Sequence, residues 1–415
     1  MRIMFVSPGG HAQGGAERSL ALLMAGLLER GHEVHVAVME TGDASTAFRE
    51  VGATVAGIAG EGTPWGRRHG SAPQMLASTL VGAPDLVRTV GRLRQMIARS
   101  RPDVVHSNGF RSHVLSPLLG AGPAPIVWSL RDRAPSRWQR QVLQHASRSA
   151  AAVAANSTFT ADQLHHPSVR VISNPIESAT VPDKSTAQAS LGLADDRHVV
   201  AVLAHLHPSK GHDIAIDALA GWNPNERPLL LLAGGDLYPD SARYRSELQA
   251  RATSAGLDED VRFLGAVDDI GTVLAAADVV VHPCRYPEGF GRVVPEAQAA
   301  GVPVVATALG GVLDLISHDE NGLLVPAGSA QALRDAIDSA MWPGERRTRL
   351  IEMGRLSAAR FAPARHVDAM ERLYREVCGH VDQPARASLQ PVGSRAGSTP
   401  GLADDTDEVG QQITL

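Results

Sequence analysis

The sequence predicts an α/β protein with two tandem, doubly wound parallel-sheet domains that face a cleft. Three observations support this fold class: a length of 415 residues, an apolar content of 44%, and an alternation of strand and helix patterns that starts twice. The length suits about two domains. Strand–helix alternation is typical of a parallel sheet with helices on both faces.

The first series opens with the strand RIMFVS and the amphipathic helix GAERSLALLMAGLLERG. Further strands are HEVHVAVM, DVVHS, PIVWSL and VRVIS, with helical patterns between them. The polar segment SNPIESATVPDKSTAQ then predicts a linker. The second series has the strands HVVAVLAHL, PLLLLAGG, VRFLG, DVVVHP, PVVAT and GLLVPA, alternating with helices such as GHDIAIDALAGW.

These patterns set the predicted boundaries. Residues 1–178 form a first domain, residues 179–362 a second, and residues 363–381 a C-terminal helix that closes the fold. Residues 382–415 are rich in Gly, Pro, Ser and Asp and aperiodic, so we expect a disordered tail.

Composition narrows the class of protein. The two cysteines, Cys284 and Cys378, leave no disulfide framework and no CxxC metal motif, which fits a reducing cytoplasm. The opening MRIMFVSPGG has too short an apolar run for a signal peptide, and the sequence has no apolar run long enough to span a membrane. A cytoplasmic protein, at most peripheral to a membrane, is expected.

The charge is unevenly placed. Residues 1–175 carry 18 arginines and no lysine against 11 acidic residues, whereas the chain as a whole has a net charge of −5. The basic half suits an anionic partner, either a phosphorylated or lipid-linked acceptor or an acidic membrane surface. Uneven surface charge without a partner is the alternative. Nothing in the sequence indicates nucleic acid.

Two loops follow the first strands of the two series. SPGGHAQGGAERS contains Gly14 and Gly15 before a helix, where backbone amides favour an anion, although the spacing is neither a GxGxxG fingerprint nor a Walker loop. A flexible glycine turn without a ligand is the alternative. AHLHPSKGHD carries Lys210, one of only two lysines against 37 arginines. A lysine there can neutralise a diphosphate; a solvated loop lysine is the alternative.

The segment EGFGRVVPEAQAAGVPVVAT places Glu288 and Glu296 eight positions apart. Pro295 suits a first helical turn, so a helix is expected to begin near Arg292 or Val293 with its first amides unpaired. Glu288 then faces a sugar from the loop, and Glu296 accepts hydrogen bonds from ribose hydroxyls. The alternative is that Glu296 only complements the helix dipole and that Glu288 is an ordinary loop acid.

At this point the chain resembles the retaining GT-B glycosyltransferases of family 4. The resemblance covers most of residues 1–380 and rests on the Glu-x7-Glu segment, NGLLVPAG, GGAER, RPDVVH, AANS with VISNPI, and PSKG. It implies two Rossmann-like domains, the first binding the acceptor and the second a nucleotide-diphospho-sugar. UDP is favoured as the nucleotide.

The resemblance also implies roles for individual residues. Lys210 holds the donor diphosphate, Glu288 contacts the transferred sugar, and Glu296 binds the ribose. Gly14 and Gly15 approach the diphosphate from the first domain. The amides of a short loop bind sugar hydroxyls and phosphate; its members are Gly289, Phe290, Gly291, Arg292 and Val293.

Two positions depart from the family pattern. His205 stands where an arginine usually shares the diphosphate, and it would carry only part of that charge near neutral pH. Arg131, followed by Asp132, stands where a histidine often ends the fifth strand. Arg131 and Arg292 are therefore candidates for the missing cation, and Glu288, Arg131 and Asp132 for the catalytic groups.

The implied reaction needs no cofactor beyond the sugar nucleotide as substrate. Neither HExxH nor a DxD near the cleft is present, so no metal site is expected. On the acceptor side, Trp65, Arg67 and Arg68 in one loop, and Arg133, Arg137, Trp138 and Arg140 in another, are candidates for a phosphate or a lipid head group. Exposed arginines with no ligand are the alternative. A GT-B sugar-nucleotide epimerase and a catalytically silent sugar-nucleotide-binding subunit remain alternative functions.

Overall fold

The computed structural model describes residues 1–9, 14–58, 83–120, 122, 124–177, 181–193 and 197–379. Strands in this part of the chain are β1 (Arg2–Gly9), β2 (Glu33–Glu40), β3 (Thr54–Gly57), β4 (Val104–Asn108), β5 (Ile126–Leu130), β6 (Ala152–Ala155), β7 (Val169–Val171), β8 (Val199–Leu203), β9 (Leu229–Ala233), β10 (Val261–Gly265), β11 (Val279–His282), β12 (Val304–Thr307) and β13 (Leu323–Val325).

The α-helices of the same ranges are α1 (Gly15–Glu29), α2 (Asp43–Glu50), α3 (Ala83–Ser100), α4 (Phe110–Leu115), α5 (Arg137–Ala146), α6 (Thr158–Ala161), α7 (Lys184–Ser190), α8 (His212–Ala220), α9 (Ser241–Ser254), α10 (Ile270–Ala276), α11 (Val293–Ala300), α12 (Ala330–Met341), α13 (Glu345–Ala358) and α14 (Pro363–Val377). Short 3₁₀ turns lie at Ser116–Leu119, Ser147–Ser149, Pro208–Lys210, Gly310–Asp314 and Ala359–Phe361.

Both predicted sheets are present and both are parallel. The first has the order β3-β2-β1-β4-β5-β6-β7 and the second the order β10-β9-β8-β11-β12-β13. Each order reverses once, where β1 pairs with β4 and where β8 pairs with β11. Ligands bind outside the carboxyl ends of the strands at such a reversal. The predicted fold class, α/β with two doubly wound parallel sheets in tandem, is confirmed.

Each sheet is buried on both faces by helices. On one face of the first sheet, Phe5 and Val36 pack with Leu23 and Met24 of α1; on the other, Met4 and Trp128 pack with Leu93 of α3. The second sheet likewise separates two apolar clusters. This explains why its strands read as continuous runs of Val and Leu rather than as alternating patterns.

Helix α14 leaves the second domain and packs on the first. Val367, Met370 and Tyr374 are buried in the same cluster as Phe5 and the apolar face of α1. The Tyr374 hydroxyl and Nδ1 of His106, in the middle of β4, lie 2.5 Å apart. The helix expected to close the fold therefore completes the core of the first sheet.

Three sequence expectations need correction or a limit. Strands β3 and β6 were not predicted, and the segment interpreted as linker contains α7, whose first turn is capped because Asp183 Oδ1 accepts from the Thr186 amide at 2.9 Å. Residues 1–380 form one compact unit that holds both sheets, and the domain boundaries inside it stay a prediction. The predicted tail, 382–415, lies outside the described residues.

One finding bears on membrane contact. Among the described helices, each is either too short or too polar to cross a bilayer.

Candidate functional site

Hydrogen bonds of three residue pairs join the carboxyl edges of the two sheets. Just after β6, Ser157 Oγ donates to the Gly289 carbonyl at 2.5 Å, and the amide and hydroxyl of Thr158 both donate to the Asp314 carboxylate at 2.6 Å. At the start of α11, Arg292 donates to Ser19 Oγ of α1 at 2.7 Å. The loop EGFGR of the second domain is thus held against the first domain.

A glycine fixes the loop that carries Lys210. Lys210 ends the 3₁₀ turn after β8, and Gly211 follows in the left-handed region with φ +70°. A Cβ built on Gly211 would lie 1.9 Å from the Pro283 carbonyl oxygen, so any side chain there would collide with backbone. Glycine at 211 therefore lets the Lys210 turn press against the turn that follows β11.

Lys210 and Glu288 are brought together by this arrangement. Lys210 Nζ contacts Glu288 Oε1, and the two side chains are 18% and 21% exposed. Burial disfavours the charged form of both groups, but the attraction between the two charges is the larger effect. The pKa of Lys210 is therefore raised, and the pKa of Glu288 is held well below its usual range. Both groups are charged at neutral pH, and the lysine faces an anion of the protein itself.

Two further side chains complete a cluster that the sequence analysis did not predict. His282 Nε2 lies 3.3 Å from Glu288 Oε2 and 3.3 Å from Cys284 Sγ, and the Cys284 thiol donates to Glu288 Oε1 at 3.3 Å. Burial lowers the pKa of His282, but Cys284 and Glu288 reverse this and raise it to about 10. The spacing His-x-Cys-x3-Glu at a strand end was the signal in the sequence.

Helix α11 begins at Val293 with Arg292 as its N-cap, as predicted. Within the described ranges, no hydrogen bond is made by the amides of a four-residue stretch that enters the helix: Phe290, Gly291, Arg292 and Val293. Such amides are ready to bind anionic or hydroxyl oxygens.

Glu296 in the first turn of α11 already has a partner. Its Oε1 accepts from Arg292 Nη2 at 2.9 Å, and the two side chains are 11% and 14% exposed. Burial raises the pKa of Glu296, with Arg292 acting in the opposite direction. Arg292 also packs against Gly15, where a Cβ would lie 2.9 Å from Arg292 Cδ. Of the predicted glycine pair, Gly15 thus meets the second domain at Arg292, and Gly14 precedes it as the N-cap of α1.

His205 follows β8 on the same edge and stacks edge-on with Tyr238, with ring centroids 5.4 Å apart. Burial, followed by the charge of Lys210, lowers the pKa of His205 to about 4. The partial charge expected near neutral pH is therefore not carried. At this position the chain has a neutral imidazole where the resemblance leads us to expect an arginine.

Arg131 lies at the end of β5, with its carbonyl oxygen 2.2 Å from where a Cβ on Gly289 would lie. Its Nε donates to Asn108 at 2.8 Å and its Nη1 to Asn174 at 2.5 Å, while the buried Nη2 has no partner in the part of the chain described. Burial lowers the pKa of Arg131 to about 10, so it remains a cation. Asp132 is exposed beside it, and its carbonyl accepts from Gln163 at 2.8 Å.

Arg131 opens onto a pocket of about 300 Å³ in the first domain. Lining residues come from the carboxyl ends of four strands and the start of α1 and include Glu17, Glu40, Asn108, Arg111, Arg131 and Arg133. Arg111 contacts the Glu40 carboxylate, and the Arg133 guanidinium lies 4.8 Å from the Phe159 ring centroid. The pocket therefore offers three guanidinium groups together with the carboxylates of Glu17, Glu40 and Asp132, and Arg111 is already paired with Glu40.

The other acceptor-side candidates are separated from this pocket or undescribed. Trp138 lines a shallow groove with Val142 and His145 on α5. Arg137 and Arg140 lie on the same helix. The loop with Trp65, Arg67 and Arg68 falls outside the described residues.

Two family models cover the chain. Residues 13–180 match the model described as Glycosyltransferase Family 4, and residues 183–357 match the model described as Glycosyl transferases group 1. The boundary between the two matches lies within the interval that joins β7 to α7.

Named relatives agree with the family models. The D-inositol 3-phosphate glycosyltransferase of Saccharomonospora viridis is 31% identical over 68% of this chain, and that of Jonesia denitrificans is 30% identical over 62%. The matches span 66% and 62% of those two proteins. Among solved structures, Anabaena Alr3699/HepE in complex with UDP-glucose has a TM-score of 0.75, with 26% identity, and covers 92% of this chain and 100% of that one.

Proposed function

This chain belongs to the group 1, family 4 glycosyltransferases with the GT-B fold, and we propose that it transfers a hexose from a nucleotide-diphospho-sugar to an acceptor hydroxyl. The observation that carries the proposal is the pairing of Lys210 with Glu288 beside the free amides that lead into α11. These groups supply a cation, a carboxylate and hydrogen-bond donors at one strand edge. A diphosphate joined to a sugar and a ribose needs that set.

The donor is proposed to bind by partner exchange at Lys210. The diphosphate replaces Glu288 as the ion-pair partner of the Lys210 ammonium group. The Glu288 carboxylate is then free to accept hydrogen bonds from the sugar hydroxyls. Since Lys210 and Glu288 are both held charged before the donor arrives, neither group needs to change its protonation state. Glu296 accepts from the ribose while Arg292 stays beside it as a second cation.

UDP is the proposed nucleotide. Support comes from the structural likeness to Alr3699/HepE, whose complex contains UDP-glucose. The neutral His205 leaves Lys210, Arg292 and the amides as the groups that neutralise the diphosphate. Residues of the chain itself are thus proposed to neutralise the diphosphate, with no resident metal or other cofactor.

Retention of the anomeric configuration is proposed from the family resemblance. The acceptor oxygen bonds to the anomeric carbon on the face from which the diphosphate leaves, and a phosphate oxygen takes the acceptor proton. Arg131 lies beside Gly289, and its guanidinium is proposed to stabilise a departing phosphate oxygen. Its Nη2 has no partner among the described residues but is buried, so the side chain has to shift to reach the phosphate. Preorganised charge of this kind is a large term in transferase catalysis. Asp132 is proposed to orient the acceptor from the pocket mouth.

The acceptor is proposed to be anionic. The pocket lined by Arg111, Arg131 and Arg133 adjoins the donor loop, and planar guanidinium groups suit a phosphate. The two inositol 3-phosphate glycosyltransferases named above have a phosphorylated acceptor in their names. A lipid-linked phosphate, reached by peripheral contact of the basic first domain with a membrane, is the other form of this proposal. A cytoplasmic location stays a prediction.

The test is calorimetric titration of the protein with UDP-, GDP- and TDP-sugars in EDTA, followed by transfer assays on the donor that binds. Inositol 3-phosphate and unphosphorylated inositol serve as paired acceptors. Binding of one UDP-sugar in EDTA and transfer to the phosphorylated acceptor alone are expected. Donor binding without transfer or hydrolysis would favour the silent subunit, and turnover without any acceptor to a new sugar nucleotide would favour the epimerase.

A further inference from the structure

The cluster formed by His282, Cys284 and Glu288 has the composition of a metal site. Imidazole, thiolate and carboxylate are the three ligand types that Zn²⁺ takes in proteins. One ligand atom from each residue lies within 4.8 Å of the others. We propose that this cluster binds a thiophilic divalent cation of the Zn²⁺ class, and that the bound cation blocks the donor site.

The separations within the cluster fit such an ion. Zinc bonds of about 2.0–2.3 Å at tetrahedral angles put neighbouring ligand atoms roughly 3.4–3.6 Å apart. Three separations are each 3.3 Å: between Cys284 Sγ and His282 Nε2, between Cys284 Sγ and Glu288 Oε1, and between His282 Nε2 and Glu288 Oε2. The two Glu288 contacts use different carboxylate oxygens, and with one ligand atom taken from each residue the three atoms lie within 4.8 Å of one another. The ion is therefore admitted either by both carboxylate oxygens together or by one oxygen after the Glu288 side chain rotates.

The backbone holds two of these ligands in place. His282 is the last residue of β11, and Cys284 follows it by two positions; they are 4% and 2% exposed. Pro283 between them is pinned by the close approach of Gly211. The side chain of Glu288, on the loop, is 21% exposed, so water can reach its carboxylate and could supply a fourth ligand.

Lys210 competes with the metal ion for the Glu288 carboxylate, which is also the carboxylate proposed to contact the sugar. Its ammonium group contacts the carboxylate that the ion needs, so the ion binds only by displacing it. A soft, polarisable cation gains from the thiolate enough to compete, whereas Mg²⁺ and Ca²⁺, which prefer oxygen ligands, do not. If Glu288 serves the donor as proposed above, a bound Zn²⁺ removes that carboxylate from the sugar and inhibits transfer until a chelator restores it.

The first experiment uses Co²⁺ as a spectroscopic probe on tag-free, full-length protein. Cys378→Ser is the matched variant, because it leaves Cys284 as the sole thiol of the chain. A thiolate-to-Co²⁺ charge-transfer band is expected in the wild type and in Cys378→Ser, and its loss in Cys284→Ser. Absence of the band in the wild type, or its loss in Cys378→Ser, would overturn the site even if Cys284→Ser failed to fold.

The second experiment measures Zn²⁺ affinity by calorimetry. Cys284→Ser and His282→Gln should each weaken binding by about 100-fold or more, since partners outside the ligand set alone are worth roughly 10–100-fold. Lys210→Met should tighten it, because the competing cation is gone. Equal Zn²⁺ affinity in wild type and Cys284→Ser would contradict the assignment.

Competition decides the second half of the proposal. Zn²⁺ should raise the dissociation constant of the UDP-sugar in wild type and in Cys378→Ser, but not in Cys284→Ser, which also controls for Zn²⁺ held by the nucleotide. An unchanged donor affinity with the Co²⁺ band present would refute inhibition and leave the metal site. The Co²⁺ spectra need no donor, so they stand whether or not the proposed transferase activity is found.

Discussion

Arg292 and Glu296 lie one helical turn apart at the start of α11, and Arg292 Nη2 donates to Glu296 Oε1 at 2.9 Å. The same arginine donates from Nη1 to Ser19 Oγ and to the Pro175 carbonyl, at 2.7 Å and 3.0 Å. One side chain thus joins the carboxylate predicted to hold the ribose to the first helix of the first domain. If Glu296 binds the ribose as proposed, donor binding is coupled to a contact between the two domains.

Glu296→Gln should weaken binding of the nucleotide-sugar by roughly 10–100-fold, because hydrogen bonds to a charged group contribute about 1.5–3 kcal/mol. The amide keeps the size of the side chain, and Arg292 retains Ser19 and Pro175 as partners. The melting temperature should change little. Calorimetry and thermal unfolding measure the two effects, with the exposed Glu352→Gln as control. A large loss of melting temperature with unchanged affinity would make Glu296 a helix-stabilising residue only.

Lys210→Met should lower turnover by about 10²–10³-fold, since losing one preorganised group at the developing charge costs about 2.7–4 kcal/mol. Lys184→Met is the matched control, because Lys184, the only other lysine, pairs with Asp278 at 2.6 Å in the second domain, where the charge supports the fold. Initial rates at saturating donor compare the two variants. Equal losses in both would mean that Lys210 has no special role.

His205→Arg should strengthen donor binding by about tenfold. The wild-type imidazole is largely neutral at pH 7, because burial and Lys210 lower its pKa to about 4, whereas an arginine brings a permanent charge to the same strand edge. The dissociation constant of the UDP-sugar is the measurement. His207→Arg places the same charge two residues further on, and the same gain there would show a general effect of charge rather than a site at position 205.

The protein should lose stability as the pH falls below about 6.5, partly through His113. Burial lowers the pKa of His113 to about 3. Between about pH 6.5 and pH 3 the unfolded chain binds a proton at His113 that the folded chain does not bind. Acid therefore favours unfolding, and one such group lowers the free energy of unfolding by about 1.4 kcal/mol per pH unit. Urea unfolding at pH 7 and pH 5 measures the difference.

His113→Gln tests that assignment. In the wild type, His113 lies between Ser107 and the Ser129 carbonyl, at 2.8 Å and 3.1 Å, and glutamine can keep the donor to the carbonyl. The loss of stability between pH 7 and pH 5 should shrink in this variant and stay the same in the exposed control His145→Gln. An unchanged pH dependence in His113→Gln would exclude His113 as a source.

The fold could be predicted because buried parallel strands give continuous Val and Leu runs, as at Val279–His282 and Leu229–Ala233. Two strands were not predicted because they lack such a run. Strand β3 is TVAG, which is short and half-buried, and β6 is AVAA, whose alanines have low strand propensity. Helix α7 was hidden in a polar segment because its N-cap, Asp183, also suits a turn.

The site was predicted less completely, because its contacts join distant parts of the chain. The Glu-x7-Glu segment and Lys210 could be assigned to one strand edge, but their direct ion pair depends on the turn at Gly211. The packing of Gly289 on Arg131 joins residues 158 positions apart, which no local pattern indicates. The His282–Cys284–Glu288 cluster needs a loop conformation that sequence spacing alone does not determine.

The return of α14 to the first sheet has a consequence for synthesis of the chain. Phe5, Leu27 and Gly26 emerge early, yet Val367 and Met370, which pack against that face, are translated more than 330 residues later. The apolar face of the first domain that α14 covers therefore stays exposed on the nascent chain until the second domain has been synthesised. A stop codon that removed α14 would damage the half of the enzyme encoded farthest from it, and chaperone dependence should concentrate in that interval.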